Sequence, residues 1–254
     1  MSYAMHRLLT LLCLYCFSLS SHASLDKLDY LTEEAYPLNY LDDKGQAQGF
    51  SVELLKLMWQ HMDQAEQTIT VMPWERAYYL LGQKPNTVLF ATVRTSKREQ
   101  FFKWVCSIDT VNVVLMGKAE GTAKIESFDQ LNELTTGVLS ADVGEQILLN
   151  NEVNDASLML TDSYHHLIKL LVANRVDLIA GTEQTIRHAA KASGFSLANY
   201  EIKWVLKEEQ LCYAFNSSVD DTIIEQFKQA LEKTKQTSAF RQLLLSYQQQ
   251  KLKP

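Results

Sequence analysis

The sequence predicts an α/β fold with largely parallel sheets, and three observations lead to this prediction. Strand-like and helix-like segments alternate along the chain between residues 87 and 193. The first of these strands, TVLFATV, is almost wholly apolar, which is typical of a strand buried on both faces of a parallel sheet. Near the end of the chain, two helix-like segments follow two further strand-like runs, and these helices need a sheet to cover.

The first third of the chain contains the initial strands and helices. Residues 26–31 carry an alternating apolar pattern, and the loop after them contains Pro37, an Asp-Asp-Lys-Gly turn and Gly49. A helix is predicted for SVELLKLMWQHM, because apolar side chains recur there at helical spacing and Ser51 is placed to cap its start. The apolar positions are Val52, Leu55, Trp59 and Met62. A short strand, TITVM, and a helix that begins at Trp74 follow.

The same alternation continues through the rest of the chain. Strands are predicted for VNVVLMG, TTGVLS, SLMLT and VDLIAG. Helices are predicted for GEQILLNN, SYHHLIKLLVANR and TEQTIRHAAKAS, with a short additional helix capped by Ser127. The runs EIKWVLK and QLCYAFNSS predict two more strands, and Ile223, Phe227 and Leu231 mark one face of the first closing helix.

The N-terminus has the features of a secretory signal peptide. It begins with a short basic segment that ends at Arg7, continues with an apolar run of about ten residues, and ends with Ser21 and Ala23. We expect cleavage after Ala23 and export of the mature chain. The run is shorter than the roughly 20 apolar residues of a membrane anchor. Small residues of the kind that lipoprotein processing uses do not precede Cys13 or Cys16.

Composition limits the classes of partner. The chain has 24 basic and 30 acidic side chains, and removal of Arg7 with the signal leaves 23 basic side chains and a net charge of −7. An acidic chain of this kind is a poor ligand for nucleic acid or anionic membranes. The glycines are isolated and do not form a nucleotide-binding fingerprint. We therefore expect no nucleotide cofactor.

Two cysteines remain after the predicted cleavage, Cys106 and Cys212. In an oxidising compartment they form either one disulfide or two buried thiols. Neither has a neighbouring Cys or His at the spacing of metal ligands, so no metal site is predicted.

Two arginines, Arg94 and Arg98, follow the apolar strand of residues 87–93 directly. Open α/β sheets bind ligands at the carboxyl ends of their strands, and a guanidinium group there can hold a carboxylate through two parallel hydrogen bonds. Thr92 and Thr95 add hydroxyl groups. An alternative interpretation is a surface cluster of salt bridges with Glu99. Spacing alone leaves both interpretations open.

Four segments resemble, in order and spacing, the periplasmic solute-binding proteins of ABC importers, family 3, the polar-amino-acid-binding type. They are YPLNY…DDKGQAQGFSVELLKLM, PWERAYYLL, ATVRTSKREQFFKWV and NRVDLIAGTEQ. The resemblance covers almost the whole chain after the signal. It implies a bilobal periplasmic-binding-protein fold, in which two α/β lobes are joined by two hinge strands and close on a small ligand.

The resemblance also implies domain boundaries. Residues 1–23 are the signal peptide, residues 24–110 and 209–254 form lobe 1, and residues 111–208 form lobe 2, inserted into lobe 1. Cys106 and Cys212 then both lie near the hinge, where a disulfide between them is feasible.

Several ligand-binding residues are implied by the same resemblance. Arg98 ends the family's T-x-x-R step, here TSKR, and inherits the role of holding the ligand's α-carboxylate, with Arg94 as an assisting or bracing neighbour. Thr92 matches a position that supplies hydroxyl or backbone contacts. Trp74 and Tyr36 match aromatic or apolar walls of the pocket, although Trp74 also suits the core face of an amphipathic helix.

Two departures from the family pattern concern the ligand's ammonium group. Amino-acid binders commonly place an Asp just past the R-x-D strand of lobe 2, whereas this chain has Thr182 there and Glu183 next. Asp142 and Val143 stand where the family often has a Gly-Thr pair. A carboxylate at Asp142 attracts a cation and repels an anion, so lobe 2 suits a basic or amine-bearing ligand.

We therefore expect a monomeric, non-enzymatic periplasmic protein that delivers a small polar, amino-acid-like solute to an ABC permease of the inner membrane. Two alternatives remain. One is a secreted, dehydratase-like enzyme on the same scaffold, and the other is a periplasmic sensor partner that signals through a receptor.

Overall fold

The computed structural model describes residues 25–120 and 124–251. The predicted signal peptide lies outside these residues. The strands are β1 (Asp29–Thr32), β2 (Tyr40–Leu41), β3 (Ala47–Gln48), β4 (Ile69–Val71), β5 (Thr87–Val93), β6 (Phe102–Lys118), β7 (Thr136–Leu139), β8 (Leu158–Thr161), β9 (Leu178–Thr182) and β10 (Tyr200–Asn216). The α-helices are α1 (Phe50–His61), α2 (Trp74–Gln83), α3 (Ser96–Glu99), α4 (Val143–Asn150), α5 (Tyr164–Val172), α6 (Glu183–Ala192), α7 (Asp221–Lys235) and α8 (Ser238–Lys251).

Eight strands are hydrogen-bonded in the order β4-β1-β5-β10-β6-β9-β7-β8, and β2 and β3 form a separate hairpin. Strand β1 is parallel to β4 and β5 at one end, and β7 is parallel to β8 and β9 at the other. The two parallel groups are joined by β6 and β10, which pair antiparallel along nearly their whole length. The predicted α/β fold with two lobes joined by two long strands is confirmed.

We refer to the structure around β1, β4 and β5 as lobe 1 and to that around β7, β8 and β9 as lobe 2. The closing helices cover lobe 1, where Phe227 of α7 packs edge-on against Phe215, 4.9 Å between ring centroids. Separate apolar clusters fill lobe 2 beneath α5 and α6. Side chains of α4, Val143 and Ile147, belong to the lobe 1 core, so the two lobes pack together. The boundaries at 110/111 and 208/209 stay a prediction.

Three local predictions were wrong. Ser127 does not cap the short helix that follows it, which is a 3-10 helix over Asp129–Glu133 with Phe128 at its N-cap position. The runs EIKWVLK and QLCYAFNSS form one continuous 17-residue strand, β10, because the polar residues between them lie on the part that crosses between the lobes. Ser51 does not cap α1, which begins one residue earlier after Gly49. Gly49 has φ of 115°, and a Cβ there would lie 2.5 Å from the Leu38 carbonyl oxygen, so the helix entry requires glycine.

The hinge strands are cross-linked. A disulfide joins Cys106 of β6 to Cys212 of β10, neighbours in the antiparallel register. Within residues 25–120 and 124–251, no helix has the length and apolarity needed to cross a membrane, and no group of three or more His, Cys, Asp or Glu side chains has the arrangement of a metal site.

Candidate functional site

Two cavities lie between the lobes. The inner cavity has a volume of about 20 Å³, which is room for about one water molecule. The outer cavity has a volume of about 720 Å³, within the range of small-molecule sites. Both are lined by residues of lobe 1 and lobe 2. The four residues that line both cavities are Glu33, Trp74, Tyr164 and Thr185.

Arg98 lines the inner cavity and is 1% exposed. The segment TSKR places it there, because Thr95 caps α3 and accepts a hydrogen bond from the Arg98 backbone N–H. The guanidinium group lies 4.7 Å from the ring centroid of Trp74 and 5.1 Å from that of Tyr78. Such cation–π contacts hold a buried arginine in one orientation.

The guanidinium group of Arg98 also connects the two lobes. Its Nη1 donates to the carbonyl of Val93, at 2.9 Å, and its Nη2 donates to the carbonyl of Ala141 in lobe 2, also at 2.9 Å. Its Nε has no acceptor among the described residues. The indole Nε1 of Trp74 is likewise buried and has no acceptor within residues 25–120 and 124–251.

Ala141 is the centre of a buried network between the lobes. Its φ of 58° lies in the left-handed region, which non-glycine residues seldom adopt. Its N–H donates to the carboxylate of Glu145, at 2.6 Å, while its carbonyl accepts from both Arg98 and the Gln146 side chain. The Gln146 amide oxygen in turn accepts from the Thr95 hydroxyl of lobe 1, at 3.1 Å.

Two carboxyl groups face the inner cavity from opposite lobes. Glu33 follows β1 in lobe 1, and Asp142 precedes α4 in lobe 2. The hydroxyl of Tyr164 donates to Asp142 Oδ2 at 2.7 Å. Gly181 makes room for this hydroxyl, because a Cβ there would lie 2.5 Å from its oxygen. Burial and the charge of Asp142 raise the pKa of Glu33 to about 8, although Arg98 acts in the opposite direction.

The outer cavity is rich in acidic groups. Its wall contains four acidic residues, one arginine and two histidines. The acids are Glu33, Glu34, Glu75 and Asp162, and the others are Arg76, His165 and His188. At its edge, Tyr36 of lobe 1 stacks on His188 of lobe 2, with 4.7 Å between ring centroids. Burial lowers the pKa of His188, which favours the neutral imidazole in this stack.

Four of the residues predicted from sequence meet at the inner cavity: Arg98, Trp74, Asp142 and Thr182. The hydroxyl of Thr182 donates to that of Thr185. Tyr36 lines neither cavity, but it stacks on His188, which lines the outer one. Whether these residues bind a ligand stays a prediction.

Three further predicted residues, Thr92, Arg94 and Glu183, also line neither cavity, and a ligand role for them stays a prediction. The hydroxyl of Thr92 donates to the Leu89 carbonyl of its own strand. Arg94 is 40% exposed and pairs with Glu99, at 2.6 Å, as the surface salt-bridge interpretation proposed. Glu183 pairs with Arg187 one turn along α6, at 2.9 Å.

Sequence reasoning missed Glu33, Tyr164 and Gln146. The rule that identified Arg98, that ligand groups follow the carboxyl ends of parallel strands, also applies to β1 and β8. Glu33 directly follows β1, and Tyr164 comes three residues after β8. Gln146 carries no such signal, because it lies within the apolar helix segment GEQILLNN.

Comparisons with solved structures concern the fold. A histidine kinase sensor domain with similarity to periplasmic binding proteins superposes with a TM-score of 0.76 at 14% identity, covering 87% of this chain and 96% of that one. A mutant of ArgBP from T. maritima superposes with a TM-score of 0.72 at 17% identity, covering 87% of this chain and 95% of that one. The arginine-, lysine-, histidine-binding protein ArtJ from Geobacillus stearothermophilus superposes with a TM-score of 0.70 at 15% identity, covering 87% of this chain and 95% of that one.

Comparison by sequence gives the family. No curated protein sequence matches the chain. The family model of the bacterial extracellular solute-binding proteins, family 3, matches residues 30–250, nearly the whole of the described structure. The chain therefore belongs to the bacterial extracellular solute-binding proteins, family 3.

Proposed function

We propose that this protein is a periplasmic solute-binding protein whose two lobes close around a small, amino-acid-like, carboxylate-bearing solute for delivery to an ABC permease. The observation that carries the proposal is the pair of buried donors, Arg98 Nε and Trp74 Nε1, which lack an acceptor among the described residues. A buried, unsatisfied donor costs about 1–3 kcal/mol. A carboxylate or carbonyl oxygen from a bound solute removes this cost.

The hydrogen bond from Arg98 to lobe 2 supports a mechanism in which the two lobes close on the solute. In the closed arrangement its Nη2 donates one N–H to the Ala141 carbonyl of lobe 2, so an acceptor group of the solute uses Nε or the second N–H of an Nη atom. A solute that contacts both lobes favours the closed state by the difference between its affinities for the two states. The outer cavity of about 720 Å³ supplies space for the rest of the solute.

The acidic walls favour a solute that also carries an amine. One structural relative, ArgBP from T. maritima, is described in an arginine-bound form, and ArtJ is named as an arginine-, lysine-, histidine-binding protein. At this level of identity they support the fold alone, but the acid-lined cleft of this chain is compatible with the same class of solute.

Thermal-shift and calorimetric titrations with L-arginine, L-lysine, L-histidine, L-glutamine, putrescine and succinate test the proposal. We expect at least one probe to stabilise the protein, by about 2.7 kcal/mol at one hundred times its Kd. Arg98→Ala should abolish binding of any carboxylate-bearing probe. Arg94→Ala is the matched control, because Arg94 lies four residues away and lines neither cavity, and it should bind as the wild type does. Equal binding by Arg98→Ala contradicts the role of that residue.

A receptor is a second candidate for the membrane partner of this protein. A histidine kinase sensor domain has the same fold, and the second candidate is a signalling role, in which the closed form contacts a receptor rather than a permease. Pull-down of a permease from solubilised inner membranes by the liganded protein supports uptake, whereas capture of a receptor kinase supports signalling. The enzyme alternative has less support, because the family and its fold relatives are binding proteins. Turnover of a prephenate-like substrate by the purified protein supports it.

A further inference from the structure

The inner cavity limits which part of a solute can lie beside Arg98. Its volume is about 20 Å³, which is room for about one water molecule. A single carboxylate or carbonyl oxygen needs a similar space, because a water molecule also has only one oxygen atom. The Arg98 Nε and Trp74 Nε1 donors there lack an acceptor among the described residues. An acceptor oxygen of the solute therefore fits this cavity, and the rest of the solute needs other space.

The outer cavity supplies that space. It adjoins the inner cavity, because Trp74 and Tyr164 are among the residues that line both. Its volume of about 720 Å³ is typical of sites that hold a whole small molecule. A solute whose oxygen accepts from Trp74 Nε1 therefore extends past this ring into the outer cavity, and the wall of that cavity determines which chemical group it accepts there.

Apolar side chains from both lobes face each other across the outer cavity. Leu41, Val71 and Met72 line it from lobe 1, and Leu139, Ala189 and Ala192 line it from lobe 2. Leu41 is 42% exposed, so the protein itself leaves a large apolar side chain of this wall without cover. An apolar group placed between the two walls removes apolar surface of both lobes from water, and this burial favours the closed state.

The polar groups of the outer cavity do not require a polar solute group within it. Glu34, Glu75 and Asp162 are exposed, so water solvates their carboxylates when the cavity is filled. Trp74 Nε1 is the one buried side-chain polar atom of this wall that lacks a partner among the described residues, and it also borders the inner cavity. A polar group of the solute against the apolar walls loses its hydrogen bonds to water without compensation, whereas an apolar group loses none.

We propose that the outer cavity is an apolar subsite, and that the solute is an amino-acid-like compound with an extended alkyl or aromatic group. One oxygen of the solute accepts from Arg98 and Trp74 in the inner cavity, and its apolar group lies between the Leu41 and Ala189 walls of the outer cavity. This inference rests on the proposed function and specifies the chemical class of the solute.

Calorimetric titration with a straight-chain series of amino acids tests the subsite: L-alanine, L-norvaline, L-norleucine and L-2-aminoheptanoic acid. We expect the affinity to rise about fourfold for each added methylene group. The heat-capacity change of binding should become more negative along the series, because this change reports buried apolar surface. L-2-aminoheptanoic acid should bind more tightly than L-lysine, which has the same number of non-hydrogen atoms but ends in an ammonium group.

Two variants with matched controls locate the apolar contact. Leu41→Ala should weaken binding of L-2-aminoheptanoic acid by at least about fourfold, the effect of one methylene group, and leave L-alanine unchanged. Leu245→Ala makes the same change at an exposed position of α8 that lines neither cavity, and it should bind as the wild type does. Val71→Thr keeps the side-chain shape but adds a hydroxyl to the wall, and it should also weaken only the long-chain probes. Val205→Thr, at an exposed position of β10, is its control.

Three outcomes overturn the proposal. An affinity that does not change with chain length, in the wild type and in Leu41→Ala alike, removes the apolar subsite but leaves the proposed function intact. Tighter binding of L-lysine than of L-2-aminoheptanoic acid has the same consequence, because the outer cavity then prefers a cation. If no member of the series binds, and none of L-arginine, L-lysine, L-histidine, L-glutamine, putrescine and succinate binds, the subsite and the proposed function both fail.

Discussion

Replacement of Gln146 by leucine should open the unliganded protein. In the closed arrangement the Gln146 side chain makes two buried hydrogen bonds: its amide oxygen accepts from Thr95 of lobe 1, and its amide nitrogen donates to the carbonyl of Ala141. Ala141 is itself held to lobe 1 through Arg98. Each buried hydrogen bond contributes about 1 kcal/mol, so Gln146→Leu should destabilise the closed state by about 2 kcal/mol, roughly a 30-fold shift toward the open state.

Small-angle X-ray scattering at pH 6, where Glu33 is protonated, measures this shift as an increase in the radius of gyration. Asn150→Leu is the matched control, because it makes the same amide-to-isobutyl change one turn along α4 at an exposed position. That variant should remain as compact as the wild type. A wild type that is already open without ligand, or a Gln146→Leu protein as compact as the control, refutes the reasoning that this network holds the lobes together.

Three further predictions concern stability and affinity. The pKa of Glu33 rises from its ordinary value of 4.5 to about 8 on folding, so its protonated form stabilises the unliganded protein at low pH. This stability should decrease as pH rises from about 4.5 to about 8, and melting curves of Glu33→Gln should lack the decrease. Trp74→Phe removes the unpaired indole donor but keeps an aromatic ring, so calorimetry should find the affinity for a bound probe about 2- to 13-fold weaker, whereas unchanged affinity argues against a solute contact at Nε1. Reduction of the Cys106–Cys212 disulfide, which has a sequence separation of 106 residues, should lower the free energy of unfolding by about 2–4 kcal/mol in urea titrations, and equal stability with and without reductant contradicts this.

The fold was largely predictable from the sequence, because its signals are local. Apolar runs such as TVLFATV mark buried parallel strands, and the alternation with amphipathic helices requires an α/β architecture. The long strand β10 was not predictable as one element, because its central segment lies in the crossing between the lobes and carries polar residues on partly exposed positions. Local sequence patterns do not distinguish such a segment from a loop.

The site was predictable only in part, because its contacts join residues distant in sequence. Arg98 could be identified from the end of β5 and the TSKR segment, and the structure buries it between Trp74 and Tyr78. Arg94 has the same residue type and nearly the same position, yet it pairs with Glu99 at the surface. The choice between these arginines depends on how the turn at Arg94 and the helix α3 pack against the rest of the protein, and spacing in the sequence does not reveal this packing.

A crystal structure of the protein purified without removal of its bound solute tests the central claim most directly. The account predicts a small solute between the lobes, with a carboxylate or carbonyl oxygen near Arg98 Nε and Trp74 Nε1. A solute bound outside this cleft contradicts the account. So does a solute in the cleft that leaves both the Arg98 and the Trp74 donors unpaired.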